Sequence, residues 1–268
     1  MRDRERRHAQ AARRFWEIDL LRGFSVVSMI GFHAAYDLLT FSAGAAPGRQ
    51  SPSPLDLPLY TVWQRVTAML FLLLAGISLT LGAARRGTEP DRRGGLGGRF
   101  PVFLTRGAKI FAWGLAITAI TRLALGRGYV IFGILHLIGL SIVLSYPFRN
   151  GRRRNFIGGA LVIGVGIFLS RQDFTFPWLL WAGFVPTRFY SVDFFPLFPW
   201  FGFILWGIGL GNILYAGGRR RAELPDRPPP ALGWLCLLGR NSLAIYLVHQ
   251  PLLVLLLILW RGPGAFQM

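Results

Sequence analysis

The chain has 268 residues, 53% of them hydrophobic, with a formal net charge of +18 and one cysteine, Cys236. A single cysteine excludes an intramolecular disulfide and a cysteine-based metal centre, and a mean hydropathy of +0.43 with apolar residues strung into runs of about 20 excludes an ordinary soluble domain. The pI of about 11.6 would suit nucleic acid, but nineteen of the thirty basic residues fall in Arg2 to Arg14, Arg85 to Arg99, Arg149 to Arg154 and Arg219 to Arg227, which alternate with the apolar runs as cytoplasmic loops do, so nucleic acid is set aside as a partner.

The runs predict an all-α, polytopic transmembrane helical bundle of about seven spans. The arginine-rich tail, residues 1–14, precedes an apolar stretch as in a signal peptide. That stretch carries Glu17, Asp19 and Arg22 and has no clear small-residue cleavage site, so an uncleaved first span is expected. This span runs outward from Phe15 to Leu39 and opens the membrane domain, residues 15–260. An outer loop rich in Ala, Gly, Ser and Pro, Thr40 to Leu57, leads to the second span, Pro58 to Leu81, and to an inner Arg- and Gly-rich loop. The third span, Pro101 to Leu125, ends at the tight turn Gly126-Arg127-Gly128, and the fourth, Tyr129 to Phe148, returns to the basic segment at Arg149. The fifth, Phe156 to Ser170, is short and is expected to borrow flanking residues or to sit in a thinned region.

An aromatic, proline-containing segment, Arg171 to Phe195, follows; its Trp178, Trp181, Phe184 and Tyr190 suit the membrane interface. The sixth span, Pro196 to Tyr215, leads to a Pro-rich inner linker and a short helix, Ala231 to Leu238. The seventh, Gly239 to Trp260, leaves the C-terminal tail, residues 261–268, outside, while the N-terminus is cytoplasmic. Each basic loop falls inside under this count, and a miscount by one span would break the pattern.

Ionisable side chains within spans are costly unless they face protein or water, so each is a candidate functional group. Asp19 and Arg22 are three apart and His33 and Asp37 four apart, which puts each pair on one helix face. One stripe of the first span therefore carries a charge pair low and a histidine–aspartate pair high. The functional reading makes His33 a general base polarised by Asp37; the alternative is that both only fix packing. Gln64, Arg65, His136, Asp193 and His249 lie at comparable depths in other spans and are candidates for binding substrate. His136, flanked by Gly133 and Gly139, has an equal claim to a packing role, and His249, before Pro251, to satisfying a helix kink. Nearer the cytoplasm Arg106, Lys109 and Arg240 join Asp19 and Arg22 as candidates for holding an anionic cofactor. The charge pair Asp19–Arg22 is equally readable as structural, and His33 with Asp37 offers too few ligands for a metal.

Five blocks carry a resemblance. They are Arg14-Phe-Trp-Glu-Ile-Asp-Leu-Leu-Arg-Gly23 with Phe32-His-Ala-Ala-Tyr-Asp-Leu38; Leu70-Phe-Leu-Leu-Leu-Ala-Gly-Ile-Ser-Leu79; Phe132-Gly-Ile-Leu-His-Leu-Ile-Gly139; Asp193-Phe-Phe-Pro-Leu-Phe-Pro-Trp200; and Gly239-Arg-Asn-Ser-Leu-Ala-Ile-Tyr-Leu-Val-His-Gln-Pro251. In this order they resemble bacterial members of the heparan-α-glucosaminide N-acetyltransferase catalytic-domain family. The resemblance implies an enzyme of a multi-pass inner (plasma) membrane that moves an acetyl or other acyl group from cytoplasmic acyl-CoA to a sugar or glycolipid acceptor at the outer face. It implies acetyl-CoA as co-substrate rather than a tightly bound cofactor, and the lipid bilayer, acyl-CoA and a glycan as partners, with a homodimer left open. The loop that bears the family's catalytic histidine corresponds to Thr40 to Leu57, which holds none here, so His33 is assigned on its own position. The competing function is a transporter or flippase, for which neither paired broken helices nor repeat halves are visible.

Overall fold

The computed structural model describes residues 14–43, 57–86 and 100–261, without the side chains of 40–43, 83–86 and 261. Both tails, most of the outer loop between the first two spans and most of the following inner loop lie outside these residues. The described chain forms α1 (Trp16–Ala43), α2 (Pro58–Arg86), α3 (Phe100–Leu125), α4 (Ile134–Leu144), α5 (Arg153–Leu169), α6 (Leu197–Leu214), α7 (Gly233–Arg240) and α8 (Ser242–Arg261), with short 3-10 turns between them. Two isolated β-bridges are the only extended pairing among the described residues.

Among the described residues, five helices are long and apolar enough to cross a membrane, over Trp16–Leu39, Pro58–Gly82, Phe100–Leu125, Leu197–Leu214 and Ser242–Trp260. The other two expected spans are shorter. The fifth forms the 17-residue α5, which starts upstream of Phe156 in the basic segment, as borrowing of flanking residues requires. The fourth is helical only over the 11 residues of α4, a rise of ~16 Å against a hydrocarbon core of about 30 Å. The chain before α4 is extended instead: Val192 and Phe195 donate backbone N–H groups to the carbonyls of Gly128 and Phe132 at 2.9 Å, and Phe132 bridges Phe194. The backbone of residues 128–132 is thus engaged sideways, and Gly133 starts the helix from an extended conformation.

The chain divides into two compact units. The terminal unit, Arg14–Phe71 with the described part of Leu224–Met268, holds α1, the first part of α2, α7 and α8. Here α1 and α7 touch backbone to backbone. A Cβ on Gly239 would run into the Asp19 carbonyl, and one on Gly23 into the Leu235 carbonyl, so two glycines permit the close crossing that small residues allow between membrane helices. Cys236 is buried in the same contact and points its thiol at the Trp16 carbonyl, 3.6 Å away. The expected seventh span is broken at Asn241, so Gly239 and Arg240 end α7 and α8 starts at Ser242. Hydroxyls join α1 to α2: Trp63 Nε1 donates to Ser28 Oγ at 2.8 Å, and Ser28 shares a 2.8 Å bond with Thr67.

The central unit, Leu72–Glu223, holds the rest of α2 and α3 to α6. Its core is Leu72, Leu74, Leu137, Ile204, Leu205 and Ile208, each almost fully buried. The basic turn before α5 is fixed from inside. Asn155 Nδ2 donates to the carbonyls of Phe148 and Gly151, and Asn212 Nδ2 to those of Arg149 and Gly151, at 2.7 to 3.0 Å. In the aromatic segment Trp178, Trp181 and Tyr190 are exposed, whereas Phe184 is half-buried against Phe174 and Phe176.

Candidate functional site

In the terminal unit, α1 presents His33 and, one turn on, Asp37, while α8 presents His249 and Gln250 opposite them. The imidazoles of His33 and His249 lie with centroids 5.0 Å apart at an interplanar angle of 58°. Asp37 is 3% exposed, and Gln250 Nε2 donates to both of its oxygens, at 3.1 and 3.0 Å. A carboxylate only accepts, so the amide nitrogen must face it. These two bonds offset part of the cost of taking the carboxylate out of water. The structure thus gives Asp37 to Gln250 and the His33 ring to His249, where the sequence pairs Asp37 with His33.

His249, 7% exposed, lies 2.6 Å by its Nδ1 from the Tyr246 carbonyl. A carbonyl cannot donate, so Nδ1 carries a hydrogen, and in the neutral ring Nε2 is the bare, accepting nitrogen. This carbonyl differs from the one freed by Pro251, which is that of Leu247, four residues before the proline. His249 Nε2 and Gln250 Oε1 are both buried with no hydrogen-bond partner, a rare and costly arrangement that calls for an explanation. Aromatic groups wall the site. Met29, Phe32 and Tyr60 form a buried cluster with Tyr36 and Tyr246 packed on it, and the Tyr60 hydroxyl donates to the Phe32 carbonyl at 3.1 Å. Beyond Asp37 an apolar recess is lined by Ala34, Leu38, Leu253, Leu256, Leu257 and Trp260.

The other end of α1 carries a charge cluster. Asp19 is 5% exposed; Arg240 Nε donates to its Oδ2 at 3.1 Å, and Arg22 Nη1 lies 3.7 Å from Oδ1. Two guanidinium groups thus share one carboxylate. Asp19 to His33 is fourteen residues, ~21 Å along the helix. His33 meets His249, Asp37 meets Gln250, and Ala34 and Leu38 line one recess with Leu253 and Trp260, so α1 and α8 run parallel. On α2, Gln64 is half-buried and Arg65 exposed.

The remaining candidates belong to the central unit. Arg106 and Lys109 are exposed on α3 beside a shallow recess with Pro101, Val102 and Thr105. His136 is 2% exposed; its Nδ1 accepts the Gly133 N–H at 3.2 Å, so Nε2 carries the hydrogen and faces Thr118 Oγ1 at 3.4 Å. Asp193 Oδ2 accepts the Ile134 N–H at 3.3 Å. Both side chains therefore satisfy amides that the start of α4 leaves without intrahelical partners, and Phe111 and Phe132 enclose the imidazole. His136→Ala should lower stability by about 2 kcal/mol through the lost cap and the cavity left. Thermal unfolding in detergent measures this, and an unchanged midpoint would remove the capping role.

Gln250, which the sequence reading places beside His249 as a polar group of the seventh span, and Tyr246, which that reading passed over, join the functional candidates. A glutamine next to a histidine in an otherwise apolar helix is the visible signal for Gln250; the part played by the Tyr246 carbonyl has none, because it is main chain. A family model described as heparan-alpha-glucosaminide N-acetyltransferase, catalytic, matches residues 14–251, from the first arginine of the opening block to the proline that closes the last. No curated protein and no solved structure matches the chain.

Proposed function

The chain belongs to the heparan-alpha-glucosaminide N-acetyltransferase catalytic family, and from that membership we propose that it is a membrane acetyltransferase whose chemistry takes place between α1 and α8. The observation that carries the assignment is the polar group His33, His249, Asp37 and Gln250 between two parallel helices of membrane-crossing length. A charge cluster lies ~21 Å down the same helix. The transporter alternative finds no support in the family match.

In this reading acetyl-CoA enters from the face of the basic loops. Arg22 and Arg240, held by Asp19, contact its phosphates, and the thioester reaches the histidines. A hydroxyl or amine of a sugar or glycolipid acceptor arrives from the opposite face past Gln64 and Arg65. His33, the less enclosed of the two imidazoles, takes the acceptor proton as the nucleophile attacks the acetyl carbonyl. The tetrahedral intermediate then expels the CoA thiolate, which recovers that proton as CoA-SH. Asp37 and Gln250 hold the acceptor's remaining donors. The parallel course of α1 and α8 supports opposite faces for the two termini, and a seven-span count agrees with the charge pattern. The proposed site draws on the terminal unit alone; His136 and Asp193 serve as caps, and Arg106 and Lys109 as flanking cations of their own unit.

Purified protein in detergent, given acetyl-CoA and a panel of amino and neutral sugars, should release CoA thiol in amounts equal to acetylated acceptor. Absence of thiol release and of acetylated product with every acceptor would refute the reading.

A further inference from the structure

His249 has a nitrogen that no expected step uses. Its Nδ1–H is committed to the Tyr246 carbonyl at 2.6 Å, which fixes both the tautomer and the ring orientation. The accepting Nε2 is buried and without a hydrogen-bond partner. An acceptor shut away from water requires a donor, and the surroundings narrow the choice. Asp37 already receives both bonds from Gln250 and, as a carboxylate, has no hydrogen to give. The Tyr60 hydroxyl donates to the Phe32 carbonyl. The His33 ring faces His249 at 5.0 Å, and a neutral imidazole always carries one N–H.

We infer that His249 is the positioning residue for His33: a small turn of the facing rings, whose centroids lie 5.0 Å apart, lets its unpartnered Nε2 receive the N–H of His33, so that the other nitrogen of His33 is presented bare to the acceptor. This rests on the acetyl-transfer reading above and replaces Asp37 by His249 as the group that orients the base. The chain is Tyr246 carbonyl, His249 Nδ1–H, His249 Nε2, His33 N–H and, at its end, the accepting nitrogen of His33. During the reaction that nitrogen takes the acceptor proton while the new bond to the acetyl carbon forms. The resulting imidazolium keeps its hydrogen bond to His249 until the departing CoA thiolate takes the proton back. His249 neither gains nor loses a proton over the cycle. Its contribution is to hold one tautomer and orientation of His33 and to stabilise the imidazolium, as a third group does in hydrolase triads.

The test is a mutant cycle on the full-length protein in detergent, with acetyl-CoA and the best acceptor from the sugar panel. His249→Leu should lower kcat by about 10- to 100-fold, the range typical of losing an orienting partner, with KM for acetyl-CoA unchanged. His249→Gln, whose side-chain oxygen can accept in place of Nε2, should recover most of that rate. The double variant His33→Ala/His249→Leu should be no slower than His33→Ala by more than about 3-fold, because residues acting as one unit lose their effect once. Where His249→Leu does not yield folded protein, His249→Ala, which likewise removes the accepting nitrogen, alone and combined with His33→Ala reads the same coupling. Losses that add, a KM effect without a kcat effect, or a glutamine variant as slow as the leucine one would overturn the dyad while leaving acetyl transfer standing. A wild-type protein that releases no CoA would remove the acetyl-transfer reading and the dyad with it.

Discussion

His33→Ala should cut acetyl transfer by about 10²- to 10⁴-fold, the contribution of a positioned general base, while the protein still binds acetyl-CoA and unfolds at nearly its original temperature. The two halves of this expectation have separate origins. His33 is only half-buried, and its ring contacts are with Phe32 and His249, so truncation leaves the main packing of α1 in place. That packing rests on the Gly23–Gly239 crossing and on the Met29, Phe32 and Tyr60 cluster. The cationic cluster at Asp19, Arg22 and Arg240 is ~21 Å away along the helix and should keep its hold on the donor. Single-turnover acetylation measured beside equilibrium acetyl-CoA binding separates the effects. Loss of both together would mean that the histidine supports the fold, and full activity would dismiss it as the base.

The second large effect concerns stability. Gly239→Val should leave little or no folded protein, a loss of more than about 4 kcal/mol. The first added carbon would overlap the Asp19 carbonyl and crowd the Gly23 amide. Both obstacles are main chain, so relief requires α1 and α7 to separate rather than a side chain to turn. Separation would also pull Arg240 from Asp19 and leave that carboxylate with Arg22 alone. Leu237→Ala provides the control on the same short helix, because Leu237 is 58% exposed and should change stability little. The yield of monodisperse protein and its melting temperature in detergent report both variants. A well-folded Gly239→Val protein would show that the crossing is not required.

Much of this architecture was legible because a bilayer imposes so simple a rule on sequence. The first, second, third and sixth apolar runs became helices within a few residues of their expected limits, since length and apolarity are all that a span demands. The fourth and seventh departed for local reasons that hydropathy does not carry. Residues 128–132 are as apolar as a helix, yet their backbone bonds to the strand-like segment around Val192 and Phe195. The seventh departs less: the chain turns at Asn241, in the polar run Arg240-Asn241-Ser242, so that α8 starts at Ser242 rather than at Gly239. In the site, periodicity correctly placed His33 and Asp37 on one face of α1, but it could not reveal what faced them. That His33 meets His249 and Asp37 meets Gln250 depends on how α8 is rotated against α1, which periodicity within one helix does not record. His136 shows the converse: its burial was readable, whereas its use as a cap follows from the extended chain before α4.

The central claim is that an acetyl group passes from a donor on one side of the membrane to an acceptor on the other. Its most direct measurement uses sealed proteoliposomes with the protein sorted by orientation, labelled acetyl-CoA outside and an impermeant sugar acceptor trapped within. Labelled acetyl should appear on the trapped acceptor when the basic loops face outward, and fall to background in the opposite orientation or in His33→Ala. Label that reaches the acceptor only when donor and acceptor share one face of the membrane would contradict the account.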